Sequence, residues 1–156
     1  MDKQTVFINA ITDVTIKKGL LKFHTYTLLF TDNSIIFARL TKEIKKADYQ
    51  ALKEDVKGKG LRERMAAFSA HSLRYLERYQ TMSKSDILKE SIDNFELSKH
   101  HITKVKTPLG VSYDQNDQII PKKIKIHTNN AKYELRFQSA NESDRAFQIL
   151  KDYTKT

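Results

Sequence analysis

Two segments of the chain combine runs of strand-forming residues with a polar dipeptide at the centre. The first, residues 27–40, has β-branched, aliphatic and aromatic residues on both sides of Asp32-Asn33. This pattern predicts a tight β-hairpin, because Asp and Asn tolerate the left-handed conformation that two-residue turns require. The predicted cross-strand pairs are Phe30 with Ile35, Leu29 with Ile36, and Leu28 with Phe37. Neighbouring pairs point to opposite faces of a sheet, so both faces of this hairpin are apolar and each needs a covering layer.

The second segment, residues 123–137, has Asn129-Asn130 at its centre and alternates apolar with polar residues. Its predicted pairs are Ile126 with Tyr133, Ile124 with Leu135, and Lys125 with Glu134. The large apolar groups share one face, and an opposite-charge pair lies on the other. This hairpin therefore needs a covering layer on one side only.

Other strands follow from composition. Residues 5–16 and 20–30 are rich in β-formers and, with 35–40, predict a three-stranded antiparallel meander. Strand character returns at residues 95–105, and the polar segment 111–121 is predicted to be a loop. The β-structure is therefore divided into an early block and a late block.

The segment between these blocks has helical composition. Residues 41–83 lose β-branched residues and gain Ala, Lys, Glu, Leu and Arg, which favour helix. Gly58 and Gly60 divide the segment, which predicts two amphipathic helices that pack as an antiparallel hairpin. Residues 84–94 predict a short helical turn and a loop that leads back to the sheet.

A terminal helix is predicted over residues 140–154. Ser139 and Glu142 fit a capping box, in which each residue satisfies a free backbone amide at the start of a helix. The apolar stripe behind this cap consists of Ala146, Phe147, Leu150 and Tyr153. Such a stripe needs an apolar surface, and the inner face of the predicted sheets supplies one.

Two short motifs and the order of the elements together resemble a known family. Residues 29–37 read Leu-Phe-Thr-Asp-Asn-Ser-Ile-Ile-Phe, and residues 94–102 read Asn-Phe-Glu-Leu-Ser-Lys-His-His-Ile. The first resembles a hairpin of bacterial and archaeal pleckstrin-homology-like (PH-like) domains, apolar-Phe-Thr-Asp-Lys/Asn-Arg-Ile-Ile. The second is similar to a strand of the same domains. The resemblance implies an α+β fold, in which a bent antiparallel sheet or sandwich is capped by a C-terminal helix.

The resemblance also implies a domain organisation. Residues 1–156 form a single PH-like domain, with a strand core at 5–40 and 92–138 and the C-terminal helix at 140–154. An α-helical insertion over residues 41–91 follows the third strand.

Some features of the family pattern are missing. Ser34 stands where the family hairpin often has Arg, and the second motif lacks the usual Tyr. The phosphoinositide signature of eukaryotic PH domains is also unmatched, because no Lys/Arg-x-Arg follows the first turn before Leu28. The resemblance therefore implies no role that depends on these cations.

The composition limits the classes of function. The chain has 156 residues and no cysteine, which fits one cytoplasmic domain without disulfides or thiolate metal sites. No apolar run approaches the roughly 20 residues of a membrane helix. The formal net charge of +9 is spread over the whole chain. A diffuse positive charge favours loose association with anionic surfaces and specifies no ligand.

The sequence indicates neither catalysis nor metal binding. It contains no Gly-x-Ser-x-Gly, no P-loop and no Gly-x-Gly-x-x-Gly, so we predict no enzyme and no cofactor. His100 and His101 are adjacent, and on a strand they would point to opposite faces. One metal ion could not bind both without distortion, so we predict no metal site.

Two sets of residues are candidate binding sites. The first turn could collect a phosphorylated head group through clustered ammonium groups, although lysines also simply keep a turn solvated. These candidates are Lys17, Lys18 and Lys22. The apolar first hairpin and the aromatic helix positions could form an interface, or could pack on each other as core. These candidates are Leu29, Ile36, Phe68, Tyr75 and Tyr79.

The leading interpretation is a non-catalytic PH-like module that binds a protein partner or forms a homo-oligomer. The first alternative is peripheral binding to an anionic membrane or to phosphorylated head groups through the basic first turn. The second is nucleic-acid binding through the polar face of the last hairpin, Lys123, Lys125, Lys132 and Arg136. Nucleic acid is disfavoured because Tyr133 and Phe137 turn inward and leave no stacking platform.

Overall fold

The computed structural model describes residues 6–18, 22–63 and 77–155. Its strands are β1 (Asn9–Lys18), β2 (Lys22–Phe30), β3 (Ser34–Arg39), β4 (Phe95–Ser98), β5 (Ile102–Lys106), β6 (Ile124–Thr128) and β7 (Lys132–Arg136). Its helices are α1 (Lys42–Val56), α2 (Lys84–Lys89) and α3 (Ala140–Lys155). Residues 61–63 and 77–80 are also helical.

The strands form one bent, antiparallel, seven-stranded sheet in the order β4-β3-β2-β1-β7-β6-β5. Both predicted hairpin registers are confirmed. In β2–β3, Leu29 pairs with Ile36 around the Asp32-Asn33 turn. In β6–β7, the pairs are Ile126 with Tyr133, Lys125 with Glu134, and Ile124 with Leu135. The expected α+β class, with an antiparallel sheet and a C-terminal helix, is therefore confirmed.

Strand β1 contains an irregularity that the sequence reading did not predict. Its pairing with β2 shifts between Ile11 and Val14, and Asp13 adopts a φ of 56°. Two residues three positions apart would face opposite sides of a regular strand. The extra residue turns both Ile11 and Val14 towards the core, where they are buried.

The prediction of one strand over residues 95–105 was wrong. Residues 95–98 form β4 and residues 102–106 form β5, at opposite ends of the strand order. A 3₁₀ turn, Lys99–His101, separates them, and the Lys99 amide donates to the Asn33 carbonyl at 2.9 Å. His100 and His101 therefore lie in a turn and are both exposed, instead of alternating across a strand.

The inner face of the sheet encloses the larger core, and α3 closes it. The Glu142 amide donates to Ser139 Oγ at 3.2 Å, so the predicted cap at the start of this helix is present. At the other end, the Tyr153 hydroxyl donates to the Thr31 carbonyl at 3.0 Å, and its ring packs on Phe30. The buried side chains of this core include Tyr26, Leu28, Phe37, Ile124, Ile126, Leu135, Ala146 and Leu150.

A second, smaller core lies on the outer face of β2 and β3. It contains Leu29, Ile36 and Ala38 from the strands and Tyr79 and Ile87 from the insertion. The insertion therefore covers the second apolar face of the first hairpin. Apolar area removed from water in this way stabilises the fold by about 25 cal/mol per Å².

The insertion begins and divides as its sequence predicts. The Ile44 amide donates to Thr41 Oγ1 at 3.2 Å and caps the start of α1. This helix ends before Gly58, which adopts a φ of 81°, and helical residues resume at 61. Most of the predicted second helix, including Phe68 and Tyr75, lies outside the described residues.

Candidate functional site

The outer face of β5, β6 and β7 is a basic surface. Ile124, Ile126 and Leu135 point into the core, so the residues between them point outward. The exposed lysines of this surface are Lys104, Lys106, Lys123, Lys125 and Lys132. We call these five residues the basic face. None of them forms a salt bridge with another residue in the described part of the chain.

Strand register arranges this surface in two rows. Lys104 pairs with His127, which pairs with Lys132 on the next strand. In the second row, Lys106 pairs directly with Lys125, which pairs with Glu134 on the next strand. Like charges placed opposite each other on a sheet destabilise it. The fold therefore tolerates a repulsive cross-strand contact at the centre of the basic face.

The pKa values of two groups respond to this crowding. Contact with Lys104, and then its positive charge, lowers the pKa of the Lys106 ammonium. Burial lowers the pKa of His127, and the four lysines Lys132, Lys106, Lys104 and Lys125 lower it further. Neighbouring lysines contribute to both shifts, and a surface that carries several positive charges attracts anions.

An acidic side chain borders the basic face but is already paired. Glu134 Oε2 accepts from Arg136 Nε at 3.2 Å and from a second guanidinium nitrogen at 3.0 Å. Although partial burial acts in the opposite direction, these bonds and the nearby lysines lower the pKa of Glu134. An open groove of about 360 Å³ runs beside this pair and is lined by Lys106, Thr107, Pro108, Lys123, Lys125 and Glu134.

Two of the three lysines of the first turn point to opposite faces of the sheet. Lys17 pairs with Phe23, and Lys22 is the residue before Phe23 in β2. Since successive residues of a strand point to opposite faces, Lys17 and Lys22 lie on opposite sides of the sheet. The Lys18 backbone pairs with Lys22, and residues 19–21 lie outside the described part.

Phe23 adds an aromatic group to the outer face that the sequence reading missed. Its side chain is 46% exposed, and the Arg136 guanidinium lies 4.9 Å from the centre of its ring. Thr15 pairs with Arg136 and Lys17 pairs with Phe23, so the outer face continues from β7 across β1 to β2. One exposed ring beside an arginine is a weak platform for bases compared with the several rings that single-strand binders use.

The three predicted interface candidates that the structure describes occupy the smaller core, and Phe68 and Tyr75 lie outside the described residues. Leu29 is 1% exposed, and Ile36 and Tyr79 are fully buried. They pack on each other across the sheet and the insertion, so they present no surface to a partner in this structure. Of the two readings of these positions, core or interface, the described residues adopt the core arrangement.

A separate polar cluster joins the insertion to the sheet. Arg39 donates to the Asp93 carboxylate, His24 Nδ1 lies 3.7 Å from that carboxylate, and the Tyr26 hydroxyl donates to the Asp93 carbonyl at 3.3 Å. Burial and the Asp93 charge raise the pKa of Tyr26 to about 12. Because Arg39 neutralises the charge of the Asp93 carboxylate, we interpret this cluster as structural: it attaches the end of the insertion to the sheet.

Neither metal ligation nor membrane crossing is visible in the described ranges. They bring together no group of three or more His, Cys, Asp or Glu side chains suited to a metal ion. No helix within them has both the length and the apolar character needed to cross a membrane.

Comparisons with known proteins add little to this picture. No protein-family model matches the chain, and no curated protein matches it in sequence. A solved structure similar to it is the C-terminal domain of an unknown protein from Leishmania infantum, with 10% identity and a TM-score of 0.49. That match covers 97% of this chain and 85% of the other. A likeness at this level assigns no function.

Proposed function

We propose that this protein is a non-catalytic, PH-like binding module and that its basic face binds an anionic partner. Two features support the PH-like assignment. Strands β1–β4 and strands β5–β7 are each consecutive along the sheet, and β1 joins the two groups by pairing with β7. A C-terminal helix closes the inner core, as the motif at residues 29–37 leads us to expect.

The pairing of Lys106 with Lys125 is the observation that carries the proposal. Two ammonium groups placed opposite each other reduce the stability of the sheet. Glu134 pairs with Lys125 on its other side, but the Glu134 carboxylate is already bound by Arg136. Lys104, Lys123 and Lys132 are the other lysines of the basic face. An anion bound there would relieve the repulsion between the two ammonium groups, and this relief would contribute to the free energy of binding.

The other candidate surfaces are less suited to binding a partner than the basic face. The leading interpretation from the sequence was a protein partner on the apolar first hairpin, but Leu29 and Ile36 are covered by the insertion. The basic first turn has Lys17 and Lys22 on opposite sides of the sheet, so they do not jointly form a head-group site. By contrast, the five lysines of the basic face lie together on one exposed surface.

Charge reversal with a matched control tests the proposal. Lys106→Glu/Lys125→Glu changes the basic face, and Lys45→Glu/Lys46→Glu changes two exposed lysines of α1 by the same net charge. Binding to phosphatidylserine vesicles, poly-L-glutamate and a single-stranded oligonucleotide is measured at low salt. We expect the first variant to lose affinity for whichever polyanion the protein binds by about tenfold or more, since each lysine near an anionic surface contributes about 1 kcal/mol.

The control variant should change affinity by less than half as much on a logarithmic scale. Binding by the unmodified protein should also weaken steeply with added salt, because exposed charges are screened. An equal loss in both variants would show that only net charge matters. That result, or no binding to any of the three polyanions, would contradict the proposal.

A further inference from the structure

Exposed apolar side chains are concentrated in the connection between β5 and β6. Eleven large apolar residues are exposed among the described ones, and five of them lie in residues 109–120. They are Leu109, Val111, Tyr113, Ile119 and Ile120. We call residues 109–120 the apolar hairpin. Single exposed apolar residues are ordinary, but a cluster of this kind marks a surface that contacts something other than water.

Backbone hydrogen bonds order the part of the apolar hairpin from Ser112 to Ile120. Tyr113 and Ile119 form an antiparallel bridge. The Asp114 amide donates to the Gln118 carbonyl, and the Ile120 amide donates to the Ser112 carbonyl, each at 2.8 Å. Tyr113, Ile119 and Ile120 therefore belong to a formed hairpin, and little ordering entropy is lost when a ligand buries them.

The apolar hairpin and the basic face are adjacent. The hairpin leaves the sheet just after Lys106 and returns to it just before Lys123. Pro108, next to the fully exposed Leu109, lines the groove that Lys106 and Lys125 also line. Exposed apolar side chains and a cluster of ammonium groups are therefore neighbours in the fold.

We propose that the anionic partner is a lipid membrane, and that the apolar hairpin enters the interfacial region while the basic face binds acidic head groups. This inference rests on the proposed function of the basic face. Two weak signals, one apolar and one electrostatic, are the usual requirement for stable peripheral attachment. A nucleic acid would use the lysines and leave the apolar side chains in water.

The composition of the surface favours lipid over an acidic protein. Protein interfaces are enriched in Arg and depleted in Lys. The basic face consists of five lysines, and the neighbouring Arg136 is paired with Glu134. Lysine, with its compact charge on a flexible stem, is well suited to fluid head groups that offer no fixed partner geometry.

The tip of the apolar hairpin sets its orientation. Asp114 Oδ1 accepts from the Asn116 and Gln118 amides at 2.8 and 3.0 Å, and Asp117 adopts a φ of 58°. Acidic head groups repel this tip, so the hairpin lies on its side with Tyr113 and Ile119 towards the membrane. Asp114→Asn keeps the acceptor and removes the charge, so it should tighten binding about two- to fivefold, as one fewer repulsive charge implies.

A tryptophan reporter tests insertion directly, because the chain has no tryptophan. Tyr113→Trp places a probe in the apolar hairpin, and Tyr49→Trp places a control on α1, where Tyr49 is also exposed. Vesicles contain neutral lipid alone or neutral lipid with phosphatidylserine, with and without brominated acyl chains. We expect a blue shift and bromine quenching for Tyr113→Trp on the acidic vesicles, and neither change for Tyr49→Trp.

A second pair of variants separates this inference from the proposed function. Leu109→Asn and Ile92→Asn each replace a fully exposed apolar residue by a neutral polar one, and only the first lies in the apolar hairpin. Burial of a leucine side chain predicts that Leu109→Asn weakens vesicle binding by about tenfold or more and, because no charge changes, leaves poly-L-glutamate binding unchanged. Ile92→Asn should change neither.

The outcomes distinguish the two proposals. If the protein binds poly-L-glutamate or an oligonucleotide but not acidic vesicles, the membrane inference is wrong and the basic face keeps its proposed role. The same conclusion follows if the Tyr113→Trp variant binds acidic vesicles without a blue shift of its fluorescence. If no polyanion binds, both proposals are wrong.

Discussion

The two hairpins of this protein have the same turn and opposite surroundings. In β2–β3, the Ser34 amide donates to Thr31 Oγ1 at 3.0 Å, and that hydroxyl donates to the Ser34 carbonyl at 3.1 Å. In β6–β7, the Ala131 amide donates to Thr128 Oγ1 at 2.9 Å, and that hydroxyl donates to the Ala131 carbonyl at 3.1 Å. Turn chemistry therefore sets the register of both hairpins in the same way.

The residues on the outer face make the difference. Leu29 and Ile36 of the first hairpin are covered by the insertion, whereas Lys125 and Lys132 of the second are exposed. One outer face has become core, and the other has become a charged surface. A hairpin's role is thus determined by the residues that its register turns outward.

Substitutions on the outer faces of the two hairpins should differ most in their effect on stability. Ile36→Ala should lower the free energy of unfolding by about 2 to 5 kcal/mol, because it leaves a cavity under the insertion. Lys125→Ala, at an exposed position on the other hairpin, should change it by about 0.5 kcal/mol or less. Urea titration of both variants measures the two values. Similar small losses in both would mean that the insertion does not cover the first hairpin.

The second effect concerns Tyr79, which packs over that hairpin. Burial, followed by the charge of Glu90, raises the pKa of Tyr79 to about 12 from an ordinary value of 10.0. The neutral phenol is favoured in the folded state. Its contribution to the free energy of unfolding is therefore complete below pH 10 and is lost as the pH rises towards 12. The unmodified protein should lose roughly 2 kcal/mol more over this range than Tyr79→Phe.

Thermal unfolding at a series of alkaline pH values checks this difference. Tyr26 and Tyr153 also have pKa values raised to about 12, so both proteins lose stability and only their difference reports on Tyr79. Parallel curves for the two proteins would contradict the buried position of its hydroxyl.

The third effect compares the two turns. Thr31→Val should cost about 1 to 3 kcal/mol, because it leaves a buried Ser34 amide without its acceptor. Thr128→Val removes the same bond at a more exposed turn and should cost about 0.5 to 1.5 kcal/mol. Chemical denaturation again gives both values. A larger loss at Thr128 would mean that the two turns do not differ in burial as described.

The smallest effect is a pH dependence of binding at the second hairpin. Burial and the lysines Lys132, Lys106, Lys104 and Lys125 lower the pKa of His127, so it is neutral in the free protein near pH 7. An anion bound to these lysines would raise that pKa, which couples binding to proton uptake. Affinity for the polyanion should therefore rise a few-fold as the pH falls through the acidic range, and His127→Gln should remove this rise. An unchanged rise in the variant would assign it to another group.

Local patterns were sufficient to predict the parts of the fold that depend on neighbouring residues. Asp32-Asn33 and Asn129-Asn130 each marked a turn, and alternation on either side gave the correct pairing. The prediction of one strand over residues 95–105 was wrong for a physical reason. The separation of this segment into β4 and β5 depends on closure of a bent sheet, and no glycine or proline marks the break. Three consecutive polar residues, Lys99–His101, interrupt the alternation and are the available signal.

The basic face appeared in the sequence only as a disfavoured nucleic-acid surface, whereas the predicted head-group site was the first turn. Lys123, Lys125 and Lys132 belong to one hairpin, so their shared face follows from its register. Lys104 and Lys106 were missed because β5 is separated from β6 by a long connection, and only their pairing reveals the row of lysines. The apolar hairpin was read as a polar loop because its composition is mixed, and its exposure is a property of the folded chain.

Binding of an anion to the basic face is tested most directly by mapping backbone amide chemical shifts during a titration with short-chain phosphatidylserine. We expect the largest changes along β5, β6 and β7, at Lys104, Lys106, Lys125 and His127, while Leu29 and Ile36 under the insertion stay unchanged. Changes centred on β2–β3, or on the first turn at Lys17 and Lys22, would contradict binding at the basic face.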